Sequence, residues 1–182
     1  MRGNETVMRA RAVQTRLAKA TDQESIYQLY NEVAATPGGL ARLQDEIHQD
    51  YVSSFLRRSL ENGVALVAET DKGNIAGELH ASSPGIYCFS HVLTDLTVAV
   101  SPVHQKQGIA RALFEQFFAE LEKAMPHISR VELIARESNA HALAFYQSLG
   151  FVKEGRLEGR IKNPDGSLEA DIPMAWQRSR TS

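Results

Sequence analysis

The chain carries a single cysteine, Cys88, so no disulfide can form within it and a stapled, secreted scaffold is excluded. No base or helix start lies beside Cys88 in the sequence. It reads as a small apolar side chain buried in a strand, not as a nucleophile. No apolar run is long enough to span a bilayer as a helix. The basic N-terminal stretch MRGNETVMRARAVQTR has no hydrophobic signal core, which points to a cytoplasmic protein with a flexible leader over residues 1–14. An excess of one charge is missing too: 20 Lys and Arg against 22 Asp and Glu leave −2. Neither nucleic acid nor an anionic membrane is implied as a partner. Histidines His48, His80, His104, His127 and His141 are scattered, without the spacing of a zinc site, and no metal is expected.

What is present suits one globular domain over residues 15–178. A chain of 182 residues, 43% of them hydrophobic, buries a core without staples. A short strand over Thr15–Ala20 leads to a helix over Asp22–Ala35, with Ile26, Leu29, Tyr30 and Val33 at helical spacing. Pro37-Gly38-Gly39 stops it. A second helical region runs over Leu40–Glu61, with Leu43, Ile47, Tyr51, Phe55 and Leu56 on one stripe. Strands follow at Val64–Glu69 and Ile75–Ala81 around the turn Asp71-Lys72-Gly73-Asn74. A long β-rich run covers Ile86–Val100, then come a helix over Ile109–Ala124, a strand over Ile128–Ala135 and a short helix over Ser138–Leu149. Strands Phe151–Arg160 and Ser167–Trp176 flank the turn Asn163-Pro164-Asp165-Gly166. The order implies an α/β fold around a mixed sheet.

The stretch LTDLTVAVSPVHQKQGIARALFEQFFAEL, Leu93 to Leu121, organises the rest. Pro102 lacks an N–H, so the strand ends there. Gly108 lets main chain approach a ligand, and the free N–H groups at the start of the following helix carry the positive end of its dipole, an anion site in waiting. An ordinary strand-to-helix connection explains the same residues equally well. A nucleotide P-loop is excluded because no Gly-Lys-Ser/Thr follows, and no G-x-G-x-x-G supports a dinucleotide fold.

The run Val100-Ser101-Pro102-Val103-His104-Gln105-Lys106-Gln107-Gly108-Ile109-Ala110 resembles the acyl-CoA signature of the GNAT acetyltransferase superfamily. Asn139-Ala140-His141-Ala142-Leu143-Ala144-Phe145-Tyr146-Gln147-Ser148-Leu149-Gly150-Phe151 resembles that family's second motif, in the family's order. The resemblance implies a mostly antiparallel GNAT-like sheet flanked by helices, and acetyl-CoA as cosubstrate. By it, main chain at Val98, Ala99 and Val100 pairs with the pantetheine arm, and amides from Gln105 through Lys106, Gln107, Gly108, Ile109 and Ala110 to Arg111 hold the pyrophosphate. Lys106 stands where the family usually has glycine, so it either hinders that approach or adds a charge. Arg111 reaches phosphate or pairs with Glu115. Asn139 caps the short helix and contacts the cofactor.

Tyr146 matches the family's proton donor to the departing thiolate, with packing in the core as the alternative role. For the base that deprotonates the amine, Asp95 leads, with Glu78, His91 and a water chain as rivals. The implied reaction moves an acetyl group from acetyl-CoA to a primary amine of a small molecule or amino acid, directly in a ternary complex. A protein or peptide amine, or a non-catalytic acyl-CoA sensor, are the alternatives. Tyr30, Glu78 and Glu158 are candidates for the acceptor side, and a homodimer is compatible with the resemblance.

Overall fold

The structure, a computed structural model, describes residues 13–36 and 40–178. Strand β1 (Gln14–Leu17) leads to helices α1 (Gln23–Ala34) and α2 (Gln49–Asn62), then to strands β2 (Gly63–Glu69), β3 (Ile75–Ser82) and β4 (Val92–Val100). Helix α3 (Ile109–Ala124), β5 (Arg130–Arg136), α4 (Ala140–Ser148), β6 (Val152–Lys153), β7 (Leu157–Lys162) and β8 (Leu168–Gln177) complete the chain. Among the described residues one sheet runs in the order β1-β2-β3-β4-β5-β8-β6, with β7 also on β8. Its pairs are antiparallel except β4 with β5, as the sequence implies. The leader expected over residues 1–14 lies mostly outside the described residues, and the strand begins at Gln14.

Both faces of the sheet are covered. Val64, Leu66 and Ala68 of β2 point into a core with Leu113, Phe114, Phe117 and Leu121 of α3. Ala65 and Val67 point the other way, against Ile26, Leu29 and Tyr30 of α1 and Phe55 of α2. This alternation along one buried strand is what fixes its register. Gly77 brings α3 close to the sheet: a Cβ there would stand 2.8 Å from Ile109 Cγ2. The start of α3 is therefore held rigidly against β3.

Four expectations need correction. Residues 40–48 are not helical; Leu43 is exposed, and a single 3-10 turn, Gln44–Glu46, is closed by Glu46 accepting the Leu43 N–H at 2.9 Å. The i, i+4 spacing of Leu43 and Ile47 imitates a helical row, although only Ile47 is buried. The β-rich run from Ile86 holds a 3-10 turn at Tyr87–Phe89 before β4 begins at Val92. Cys88 sits on that turn and is exposed, not buried in a strand, because the turn lifts it off the sheet. The strand expected over Phe151–Arg160 divides into β6 and β7, with Glu154 N–H bonded to Pro173 O at 3.0 Å between them.

Candidate active site

The site begins where two parallel strands part. β4 pairs with β5 only at Val92–Arg130 and Leu93–Val131. On its other side β4 stays paired with β3 through Gly77–Val100. From Thr94 to Val100 the edge of β4 that faces β5 has no strand partner among the described residues, so its main-chain donors and acceptors are left for a ligand. Beside the parting lies a β-bulge: the pairing steps from His80–Thr97 to Ser82–Thr94, placing one extra residue in β4. Asp95 there adopts φ +56°. Bulges re-aim side chains, and the Asp95 carboxylate is turned outward, 61% exposed, with Arg58 Nη1 at 3.9 Å.

At the end of β4 the chain turns through Pro102–His104 and enters α3. Ser101 N–H still bonds Ala76 O at 2.9 Å, so the ladder stops at Pro102 as its missing donor requires. Lys106 has φ +61° and Gly108 φ +81°; the two left-handed residues fold the loop over the helix start. The first closing bond of α3 is Ala112 N–H to Gly108 O at 3.0 Å, which leaves the N–H groups of Ile109, Ala110 and Arg111 unpaired within the helix. A Cβ on Gly108 would meet nothing within 4 Å, so the loop faces open space. A free strand edge continuous with unpaired amides fits a ligand that has an amide-bearing arm and a phosphate group. Gln107 is held by its side chain bonding Val103 O at 3.3 Å. Arg111 turns to Ser148 Oγ at 3.2 Å, with its guanidinium 5.7 Å from the Phe145 ring, so its observed partners are on α4 and not Glu115.

α4 supplies the other wall. Asn139 Oδ1 accepts the Ala142 N–H at 3.0 Å, the expected cap. The loop before it is fixed by Glu169, which accepts from Arg136 Nη2 at 2.7 Å and from Ser138 N–H at 2.8 Å. Tyr146 packs edge-on against Phe114 at 6.0 Å and near Phe151 at 6.0 Å, and burial pushes its phenol up to about 12. Its hydroxyl has no hydrogen-bond partner among the described residues and is not sealed from open space. It is a protonated donor in need of an acceptor.

On the α1–α2 side, the parting opens a cavity of about 480 Å³. Asp95, Leu96 and Thr97 of β4 line it, with Arg42, Arg58 and His80. Beneath it lies a buried polar cluster. Glu78 is fully buried and His80 is 4% exposed; Tyr30 donates to Glu78 Oε2 at 2.7 Å, and His80 Nδ1 lies 3.1 Å from both carboxylate oxygens. Burial, with Glu78 beside it, pushes the Tyr30 phenol well up. Of the residues considered for the acceptor side, Tyr30 and Glu78 meet here, whereas Glu158 is exposed on β7 against Arg156. His91 is exposed at the foot of β4 and does not line the cavity. Sequence reading passed over His80; the Glu-x-His spacing on a strand, which puts both side chains on one face, was the available signal.

Residues 61–153 match the family described as Acetyltransferase (GNAT) domain, and the chain belongs to that family. It is 47% identical over 79 residues to the [Ribosomal protein bS18]-alanine N-acetyltransferase of Escherichia coli, covering 43% of this chain and 52% of that protein. The chain thus spans about half the length of such curated relatives. It is 28% identical over 167 residues to the N-terminal acetyltransferase B complex catalytic subunit naa20 of Schizosaccharomyces pombe, covering 91% of this chain and 86% of that protein. In fold it resembles an acetyltransferase of the GNAT family from Streptococcus pneumoniae, TM-score 0.80 at 22% identity, covering 92% and 100% of the two chains. A putative acetyltransferase from Salmonella typhimurium, solved with its cofactor acetyl-CoA, gives TM-score 0.79 at 19% identity, covering 94% and 96%.

Proposed function

We propose that this protein is an N-acetyltransferase that moves the acetyl group of acetyl-CoA to a primary amine by direct transfer in a ternary complex. The observation that carries the reading is the parting of β4 from β5 beside the start of α3. Main chain at Val98, Ala99 and Val100 takes the pantetheine arm as an added strand. Amides from Gln105 to Arg111 take the pyrophosphate, and Asn139 contacts the cofactor beside its cap. A main-chain N–H near Val98 faces the thioester carbonyl oxygen, where negative charge develops. Tyr146 gives its proton to the departing sulfur. Asp95, at the cavity's rim, meets the incoming ammonium as its carboxylate partner.

For the acceptor, a small molecule or amino acid suits a cavity of about 480 Å³. Arg42 and Arg58 line that cavity and offer charge to a carboxylate, as an amino acid requires. The N-terminal amine of a protein or peptide is the second reading. It is favoured by relatives named for ribosomal-protein alanine and N-terminal acetylation, and by a wider cavity of about 1020 Å³ that shares Arg42.

The test is thiol release from acetyl-CoA with a panel of free amino acids, small amines and short peptides. One acceptor class supports turnover, and Tyr146→Phe lowers it about 10²-fold or more while leaving acetyl-CoA affinity in place. Because the phenol is pushed up to about 12, it stays protonated through neutral and mildly alkaline pH and causes no loss of rate there. Tight acetyl-CoA binding without thiol release from any amine contradicts the reading and favours a sensor.

A further inference from the structure

We infer that His80 is the proton acceptor for the incoming amine, with Glu78 and Tyr30 as its positioning residues. The inference rests on the proposed acetyl transfer. Three observations carry it. First, the His80 ring is fixed: its Nδ1 lies 3.1 Å from each Glu78 oxygen, and the Phe55 ring stacks on it at 3.9 Å with a 9° tilt. Second, Glu78 has its own anchor, since Tyr30 donates to it at 2.7 Å. The buried carboxylate therefore has two donors, which its burial requires, and holding the Nδ1 proton leaves the lone pair of His80 on Nε2. Third, Nε2 has no hydrogen-bond partner among the described residues and is not sealed away from open space. His80 lines the cavity, so this lone pair opens into it.

Position agrees with chemistry. His80 pairs with Thr97 and Leu79 with Val98 across β3 and β4, so the imidazole stands one residue from the main chain assigned to the thioester carbonyl. A carboxylate that orients and tautomerises a histidine, leaving its other nitrogen as base, is a recurrent arrangement in acyl transfer. His80 Nε2 takes one proton from the acceptor's ammonium group. The freed nitrogen lone pair forms the C–N bond to the acyl carbon, and the C–S bond breaks with its electron pair on sulfur. Tyr146 protonates that sulfur, the second amine proton leaves to solvent, and the proton held on His80 returns through water to the Tyr146 phenolate.

Other groups around His80 are Tyr30 from α1, Tyr51 and Arg58 from α2, and Arg42 from the loop before α2. From the sheet come Glu78 and Asp95, with Arg130 and Glu132 of β5 and Glu154 after β6 farther along the same cavity. The arginines stay charged between pH 6.5 and 9, and the phenols of Tyr30 and Tyr51 are both pushed up and stay protonated.

The test uses His80→Gln, Glu78→Gln and Asp95→Asn in the full chain. The probes are an alanine-starting peptide, whose α-amine has a pKa of about 8, and free lysine, whose side-chain amine has a pKa of about 10.4. On whichever probe the parent accepts, His80→Gln lowers kcat/KM about 10²-fold at pH 6.5, with acetyl-CoA affinity unchanged. The deficit shrinks at least about tenfold as pH rises to 9, because more amine arrives already neutral and needs no base. Glu78→Gln shows a smaller deficit of the same form, and Asp95→Asn changes KM for the amine without this pH-dependent recovery. A His80→Gln deficit that is absent, or constant with pH while acetyl-CoA affinity holds, overturns the inference, as does a recovery seen in Asp95→Asn instead. Loss of acetyl-CoA binding in His80→Gln also overturns it, by making the residue structural. A parent protein that turns over neither these probes nor any other amine removes the proposed function and this role together.

Discussion

Lys106 shows how one backbone angle explains a departure that residue type alone leaves open. The family resemblance puts glycine at this position, and the chain there has φ +61°, a region glycine enters freely and other residues enter at a cost of about 1 kcal/mol. The site thus asks for a shape, and lysine tolerates it. Lys106→Gly is predicted to keep acetyl-CoA affinity within a few-fold and to leave stability unchanged or raised by up to about 1 kcal/mol. Lys106→Val, β-branched and poorly suited to positive φ, is predicted to lower stability by about 1–2 kcal/mol. Urea unfolding and calorimetry with acetyl-CoA check both. Equal stability for the glycine and valine variants would contradict the backbone explanation. Gly108 and Asn139, by contrast, were legible from sequence, because a left-handed turn before a helix and a side-chain cap are local chemistry. His80 was not: its meaning depends on Tyr30, 50 residues away, and on Phe55 stacking above it.

At the scale of elements, the long periodic segments were legible and the interrupted ones were not. The sequence reading of α3 as Ile109–Ala124 is its observed span, since its apolar stripe is regular and Gly108 marks its start. Residues 40–48 and Tyr87–Phe89 carry apolar residues that imitate a helix or strand, and their real conformation is set by turns. The placement of α4 relies on a contact across the sheet. Glu169 of β8 holds Arg136 and Ser138, and these bonds lower its carboxyl to about 2, below the ordinary glutamate value of about 4.3. Since the folded value lies below the unfolded one, this contribution is present above about pH 4.3 and fades as pH falls toward 2. The parent is predicted to lose about 1 kcal/mol more stability than Glu169→Gln between pH 6 and 3, a figure discounted for solvent screening. Parallel losses in urea unfolding would show that the contact does not act this way.

For the whole molecule, the sheet is covered by helices on both faces and split along part of its middle. The bulge at Asp95, the single parallel pairing at Val92 and Leu93, and the start of α3 against Gly77 together make one opening. One side faces α3 and α4, and the other faces α1 and α2. The fold class and the cofactor-side motifs were legible because they are local runs. The split itself was not, because it arises from strands far apart in sequence that pair for two residues and then diverge. On the proposed function, acetyl-CoA lies in this opening. Amide hydrogen exchange with and without acetyl-CoA tests it directly. Slowed exchange concentrated in residues 94–100 and 105–111 is the expected result. Unchanged exchange in both segments, with the slowing elsewhere in the chain, would contradict it.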